Sequence, residues 1–212
     1  MKDRIIAIAA IALALFAAQP AQAASQHVVF AGGCFWGVQA VFESLRGVTA
    51  TTAGFSGGAA ATAHYEIVGT GMTGHAESVD VSYDPSVISF RQLLDVYFLV
   101  AHDPTELNRQ GPDDGTQYRS EIFYTSESQH RQAAQYIGDL TRRHVFHAPI
   151  VTKMEPLRGF YRAEDYHQDF LVHNPENPYI VDNDIPKVKT LVQKFHALVS
   201  TGAPAVRAAM RA

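Results

Sequence analysis

The sequence predicts an α+β sandwich, with strands and helices mixed around one sheet. Three observations carry this: short apolar or alternating runs of strand length, two Ser-x-x-Gln patterns opening amphipathic stretches, and glycine- or proline-marked turns between them. No internal repeat or interdomain linker interrupts the 212 residues, and 47% of them are apolar, enough to bury one core.

Residues 27–31 (HVVFA) read as a first strand. From Phe35, apolar residues recur at Val38, Val41, Phe42 and Leu45, a helical spacing, and Arg46-Gly47 supplies a basic last turn and a stop. Residues 50–55 form a second strand, followed by a Gly57-Gly58 turn and a small-residue stretch. Residues 69–75 (GTGMTGH) are loop, and residues 77–83 (ESVDVSY) alternate as a strand that Asp84-Pro85 ends. Ser89 and Gln92 form a capping box ahead of Phe90, Leu93, Leu94, Tyr97 and Phe98. Residues 102–118 are polar, rich in Gly, Pro and Asp, and have no period; compact domains rarely hold so long a structureless loop without a use for it.

Beyond that loop, residues 120–125 (SEIFYT) are a strand. Ser126 and Gln129 form a second capping box, opening a helix to about Arg143, and residues 149–154 read as another strand. Residues 160–172 carry a weaker helical pattern, with Tyr166 and Phe170 at i, i+4. A last helix begins near Pro186, with Val188, Leu191, Val192, Phe195 and Leu198 on one face. The alanine-rich residues 201–212 are expected to be a disordered tail.

Residues 1–23 have the pattern of a signal peptide. Lys2 and Arg4 make a basic start, residues 5–18 an unbroken apolar run, and Ala21-Gln22-Ala23 an A-x-A cleavage signature. The run of about 14 residues is short for a membrane span, which needs about 20. The expectation is export, to a bacterial periplasm, leaving one domain at residues 24–200. The net charge of −4 comes with no Lys/Arg run and no aromatic-basic interleaving, so nucleic acid is not an expected partner. His144-x-x-His147 has no third ligand in sight, so no metal is expected.

The chain has one cysteine, Cys34, and one tryptophan, Trp36, side by side in "FAGGCFWGVQA". Most free cysteines are small buried hydrophobes, but an odd one in an exported chain also suggests a reactive thiol. Position favours the second reading. Strand, glycine turn and helix meet at Cys34, so the thiol is expected at a helix N-terminus, where the dipole lowers a thiol's pKa. An activated thiolate attacks carbonyls, peroxides, disulfides or sulfoxides, and the residues alone leave these open. A thioredoxin-like role is weaker, since no C-x-x-C is present. Tyr65, Glu77, Asp113, Asp114 and Tyr118 lie in or beside loops. They are either proton and hydrogen-bond donors for such chemistry or ordinary water-facing loop residues.

The strings "GGCFWG", "TGHAE", "YDP", "HDPT", "NRQGPDDGTQYRS" and "AEDYHQDFL", in this order and spacing, resemble the peptide methionine sulfoxide reductase A family from His27 to Pro178. Around them the expected architecture is a ferredoxin-like mixed sheet with flanking helices and a long loop-rich C-terminal region. The resemblance implies reduction of the S epimer of methionine sulfoxide, free or in proteins, with no cofactor. It matches Cys34 to the nucleophile, Phe35 and Trp36 to the apolar wall around the substrate methyl, and Glu77 to the acid for the sulfoxide oxygen. Tyr65 and Tyr118 match hydroxyls bonding that oxygen, and Asp113 a supporting acid.

The chain also departs from the family pattern. It lacks the C-terminal resolving cysteines of many members, so an external thiol reductant, a thioredoxin-like protein or a small thiol, is the implied partner. Pro112 stands where Asn is usual, which puts the loop bearing Asp113 in question. Phe55 stands where Tyr is common and lacks its hydroxyl. Asp114 is expected to be a solvated neighbour. His75 is expected to serve structure, the alternative being to tune Glu77; Arg119 is expected to pair with a carboxylate inside the fold; Tyr166 and His167 are expected to pack, the alternative being to border the site.

Overall fold

The computed structural model describes residues 25–212; the expected signal peptide lies outside the described residues. A six-stranded sheet has the order β7-β6-β1-β3-β2-β8. Its strands are β1 (Gln26–Gly32), β2 (Val48–Ser56), β3 (Ala76–Tyr83), β6 (Ser120–Tyr124), β7 (Lys153–Pro156) and β8 (Phe160–Arg162). The central four, β6-β1-β3-β2, are antiparallel, and β7 runs parallel to β6. Helix α1 (Phe35–Glu43) links β1 to β2, and helix α3 (Phe90–Val96) lies between β3 and β6. This is the ferredoxin-like βαββαβ arrangement, extended at both edges.

Residues 28–31 (VVFA) are apolar throughout because β1 is buried on both faces there. Val28 and Phe30 join the main core with Val38, Val41 and Phe42 of α1. Val29 and Ala31 face the other way, with Ala76, Phe123, Leu157 and Phe160. Rings stack inside the main core, Phe30 between Phe42 at 4.9 Å and Tyr97 at 4.6 Å. Strand alternation thus gives way to a continuous apolar run where a sheet is covered on both sides.

Ser89 caps α3 reciprocally with Gln92, as its spacing predicts. The second box closes only halfway. The Ser126 hydroxyl accepts from the Gln129 N–H at 3.2 Å, but the Gln129 side chain accepts from the Thr125 N–H and donates to the His27 carbonyl. Helix α4 (Glu127–Arg142) is thereby tied to β1 as well as capped.

Three sequence expectations need correction. The strand expected at residues 149–154 forms four residues later as β7, where it gains its partner β6. The helical pattern of residues 160–172 is not one helix: it is β8, a 3₁₀ turn at Asp165–His167 and helix α5 (Phe170–His173). Pairing with β2 claims the first part, and Asp169, at φ 52°, breaks the rest. The C-terminal residues are not frayed. Pro204–Arg211 is a helix, α7, with Ala205 and Ala209 fully buried against the helical layer. Helix α6 (Ile185–Phe195) precedes it, and the Ser200 N–H and Leu198 carbonyl bond the chain just after α1. The small side chains that suggested fraying permit this close packing.

Candidate active site

Cys34 occupies the N-cap of α1, in the turn that Gly32 and Gly33 make. Gly33 has φ +85°, and a side chain there would strike Gln110, which lies 2.5 Å from the position of a Cβ. Gln110 in turn brackets the backbone of Asp103 with two hydrogen bonds, fastening the long loop to the cysteine turn. Cys34 as a residue is 7% exposed. It is deeply set but not sealed.

Glu77, on β3, reaches the same helix end. Its Oε2 accepts from the Phe35 N–H at 3.1 Å, so the acid occupies the first open donor of α1. Burial pushes its carboxyl up to about 8, with Asp113 and Asp184 adding to the rise and the Phe35 N–H opposing it. At pH 7 Glu77 therefore carries its proton.

The expected lowering of the thiol pKa is not what the structure shows. Burial raises the Cys34 thiol well above its ordinary value, and the Glu77 and Asp184 carboxylates raise it further; the Trp36 N–H and Lys187 pull the other way. Desolvation outweighs the short helix because α1 has nine residues and its first N–H points at Glu77 rather than at the sulfur.

Tyr65 enters from α2 (Tyr65–Val68), a short helix that the small-residue stretch did not suggest. Tyr118 ends a 3₁₀ turn, Thr116–Tyr118, after the two-residue strands β4 (Arg109–Gln110) and β5 (Asp113–Asp114). Thr116 and Gln117 donate to the carbonyls of Gly71 and Gly69, at 2.8 and 3.2 Å, which ties the glycine loop after α2 to the turn bearing Tyr118. Burial pushes the Tyr65 hydroxyl up to about 12, with Glu77 and Cys34 adding to it. The same causes raise Tyr118 above its ordinary range. Both remain neutral donors at pH 7.

Cys34, Glu77, Tyr65, Tyr118 and Asp113 are thus gathered, and Asp114 is not. Asp113 is half-buried and accepts a short hydrogen bond from the Tyr179 hydroxyl. Pro112 is exposed in the β4–β5 turn and does not displace Asp113 from this contact. Phe55 sits directly across from Glu77 on β2, its ring 5.8 Å from Phe35 and 6.1 Å from His75, so it serves as packing. Asp114 is exposed. His75 ties the loop at Gly58 and Ala59 by its two ring nitrogens, and Arg119 pairs with buried Glu121 at 2.6 Å, both structural as expected.

The wall beside the thiol is fuller than the sequence suggested. The Trp36 indole stacks on Phe170 at 3.8 Å and meets Tyr179 edge-on at 5.8 Å. Its Nε1–H donates to His167 Nδ1 at 3.1 Å. His167 also lies 4.1 Å from Tyr65 and 5.1 Å from Phe35, ring to ring, so it joins the two sides of the wall instead of filling a helix interface. Burial lowers its pKa, which keeps the ring neutral. Tyr166, its neighbour, is 59% exposed. Tyr179, Asp184 and Lys187 are functional-site neighbours that nothing in the sequence singles out. Among the described residues no group of three or more His, Cys, Asp or Glu is set to hold a metal ion.

Comparison with known proteins agrees with this geometry. The family described as Peptide methionine sulfoxide reductase matches residues 26–198. The chain is 57% identical over 176 residues to peptide methionine sulfoxide reductase MsrA 2 of Mesorhizobium japonicum, covering 83% of this chain and 90% of that one. It is 47% identical over 171 residues to MsrA 2 of Synechocystis sp., covering 81% and 80%. Among solved structures, the reduced form of Mxr1 from Saccharomyces cerevisiae is similar with a TM-score of 0.68 at 35% identity, covering 75% of this chain and 90% of that one. Methionine sulfoxide reductase A of Corynebacterium diphtheriae gives 0.63 at 34%, covering 74% and 77%. A match across nearly the whole described chain, at such identity, decides the question: this chain belongs to the peptide methionine sulfoxide reductase A family.

Proposed function

We propose that Cys34 attacks the sulfur of a bound methionine sulfoxide while Glu77 protonates its oxygen. The protein is a peptide-methionine (S)-S-oxide reductase, returning the S epimer of methionine sulfoxide to methionine. The observation that carries the residue roles is Glu77: a carboxyl held protonated at neutral pH, bonded to the first N–H of the helix that Cys34 caps.

The substrate methyl packs against Phe35 and Trp36, and the hydroxyls of Tyr65 and Tyr118 donate to the sulfoxide oxygen. Asp113, fixed by Tyr179, supports them from the long loop. A neutral Glu77 relieves Cys34 of one of the two carboxylates that oppose its ionisation. Attack by the thiolate forms an S–S bond as Glu77 gives its proton to the oxygen. The hydroxyl then passes to the cysteine sulfur and the S–S bond breaks, giving methionine and a Cys34 sulfenic acid. The Glu77 carboxylate takes up the proton that the thiol released.

Cys34 is the chain's one cysteine, so a thiol from outside attacks the sulfenic sulfur and expels water. A second external thiol then resolves the mixed disulfide. A thioredoxin-like protein or a small thiol fills this role. The test is reduction of each epimer of a chromophore-tagged methionine sulfoxide with dithiothreitol as donor. Turnover confined to the S epimer is expected; equal turnover of both, or consumption of peroxide alone, overturns the reading. The protein is also exported, supported by the basic start, apolar run and A-x-A pattern of residues 1–23. Sequencing of the secreted protein should find its new N-terminus close to Ala24.

A further inference from the structure

The chain before α6 is a π-helical stretch, Ile180–Asp184, and such local widenings recur at functional sites. It delivers Asp184 and Lys187 to the first turn of α1. Asp184 is fully buried, and Lys187 Nζ donates to its Oδ1 at 3.1 Å. The other oxygen, Oδ2, is buried with no hydrogen-bond partner. Both side chains lie against Gly37, three residues after Cys34. A Cβ at Gly37 would fall 2.0 Å from Asp184 Oδ1 and 3.0 Å from Lys187 Nζ, so the pair fits only because this position lacks a side chain.

A buried ion pair with one unsatisfied oxygen is an expensive way to join two helices, since desolvation of both charges offsets much of their attraction. Its place against Gly37, in the helix turn that Cys34 caps, gives it another use. We propose that Asp184 and Lys187 are positioning residues for the reaction at Cys34, a fixed ion pair whose lysine favours negative charge on the sulfur and whose aspartate opposes it. The charged and titratable groups facing the thiol are Glu77 from β3, Tyr65 from α2, Tyr118 from the 3₁₀ turn, Tyr179 ahead of the π stretch, and this pair. Glu77 is neutral at pH 7 and the tyrosines stay protonated; burial raises the Asp184 carboxyl, Lys187 opposes that rise and Asp113 adds to it, so the aspartate's charge beside the thiol depends on its lysine. Lys187 raises the stability of the thiolate and acts on Asp113 in the same sense.

The inference rests on Cys34 being the reacting sulfur, and its test reads that sulfur without using turnover. Iodoacetamide alkylation of the native protein reports Cys34 alone, because the chain has no other thiol. Its rate is followed against pH in wild type, Lys187→Met, Lys187→Arg and Asp184→Asn, each with Trp36 emission as the check on folding. Lys187→Gln replaces the Met variant if that one does not fold. Expected is a midpoint that rises without the lysine charge, falls in Asp184→Asn and returns towards wild type in Lys187→Arg. At pH 7 the alkylation rate should differ by about three- to tenfold in each direction. A merely structural pair would move both variants the same way; that result, or an unmoved midpoint in either, overturns the proposal while leaving Cys34 as nucleophile. A wild-type thiol that reacts only after denaturation removes both readings.

Discussion

Residues 32–37 and residues 160–184 meet at one site but hold their shapes by different means. The first stretch is local: a glycine at positive φ, a cysteine at an N-cap, and a helix whose apolar spacing fixes which face packs on the sheet. The second supplies His167 from a 3₁₀ turn, Phe170 from a four-residue helix, Tyr179 from the residue before a π stretch and Asp184 from that stretch. It is held by side chains bonding distant backbone. Gln168 grips Ala53 with Oε1 and Nε2 at 2.9 and 3.0 Å and also donates to the Ala163 carbonyl. Gln39, on α1, accepts from the Asp169 N–H at 3.0 Å. The reacting sulfur thus sits on regular structure, while the aromatic wall beside it sits on a segment whose geometry single side chains determine.

That contrast predicts separable effects. The largest is at the local end: Cys34→Ser should abolish sulfoxide reduction with native folding retained, read by chromatography of the methionine product and by circular dichroism. Residual turnover would move the chemistry off this turn. Next, Glu77→Gln should lower kcat by about a hundredfold or more with little change in KM, the cost of losing a general acid. It should also change the pH profile. In wild type the chemical step falls as Glu77 deprotonates above about pH 8, and that alkaline fall should be missing from what activity the variant keeps.

Gln168→Ala tests the irregular end. Losing three hydrogen bonds to backbone should cost about 2–3 kcal/mol of stability, measured by denaturant unfolding, and raise KM more than it lowers kcat. Loss of kcat alone would mean that this segment bears on the chemistry instead of the fit.

The smallest effect concerns Glu43, at the far end of α1, half-buried against Asp169. Burial, then a hydrogen bond to Asp169 and that residue's charge, push its carboxyl up to about 8. Its folded value lies above its unfolded value of 4.5, so its share of stability is complete below pH 4.5 and is lost as pH rises through about 8. Glu43→Gln should melt close to wild type at acid pH. At pH 8.5 it should melt about 2–4 °C higher, the response of a chain this size to roughly 1 kcal/mol. A variant that follows the wild-type pH dependence would show that the strained Asp169 turn is held without the shared proton.

Much of this was legible beforehand, and the reasons are specific. The glycine-cysteine-aromatic turn, the Ser89 capping box and the paired loops bearing Tyr65 and Tyr118 each announce themselves over a few residues. A helical period through Tyr166 and Phe170 leaves packing and bordering the site both open for His167, because it hides the true setting, a turn broken at Asp169. Tyr179, Asp184 and Lys187 left no local signal at all. The sign of the thiol's pKa shift departs from the expectation for a related reason. A helix N-terminus can be inferred from spacing, but burial and the carboxylates that arrive from β3 and the π stretch cannot.

By itself the sequence determined the succession of the central strands and helices along the chain, the identity of the nucleophile's turn and the family to which it belongs, because these depend on residues close together along the chain. Only the tertiary structure decided that the thiol rests protonated, that the tail folds as α7, and that a buried aspartate and lysine lie under the first turn of α1. Desolvation and Coulomb interactions depend on distances through space, and residues 34, 77 and 184 become neighbours only when the sheet and its helices close around them.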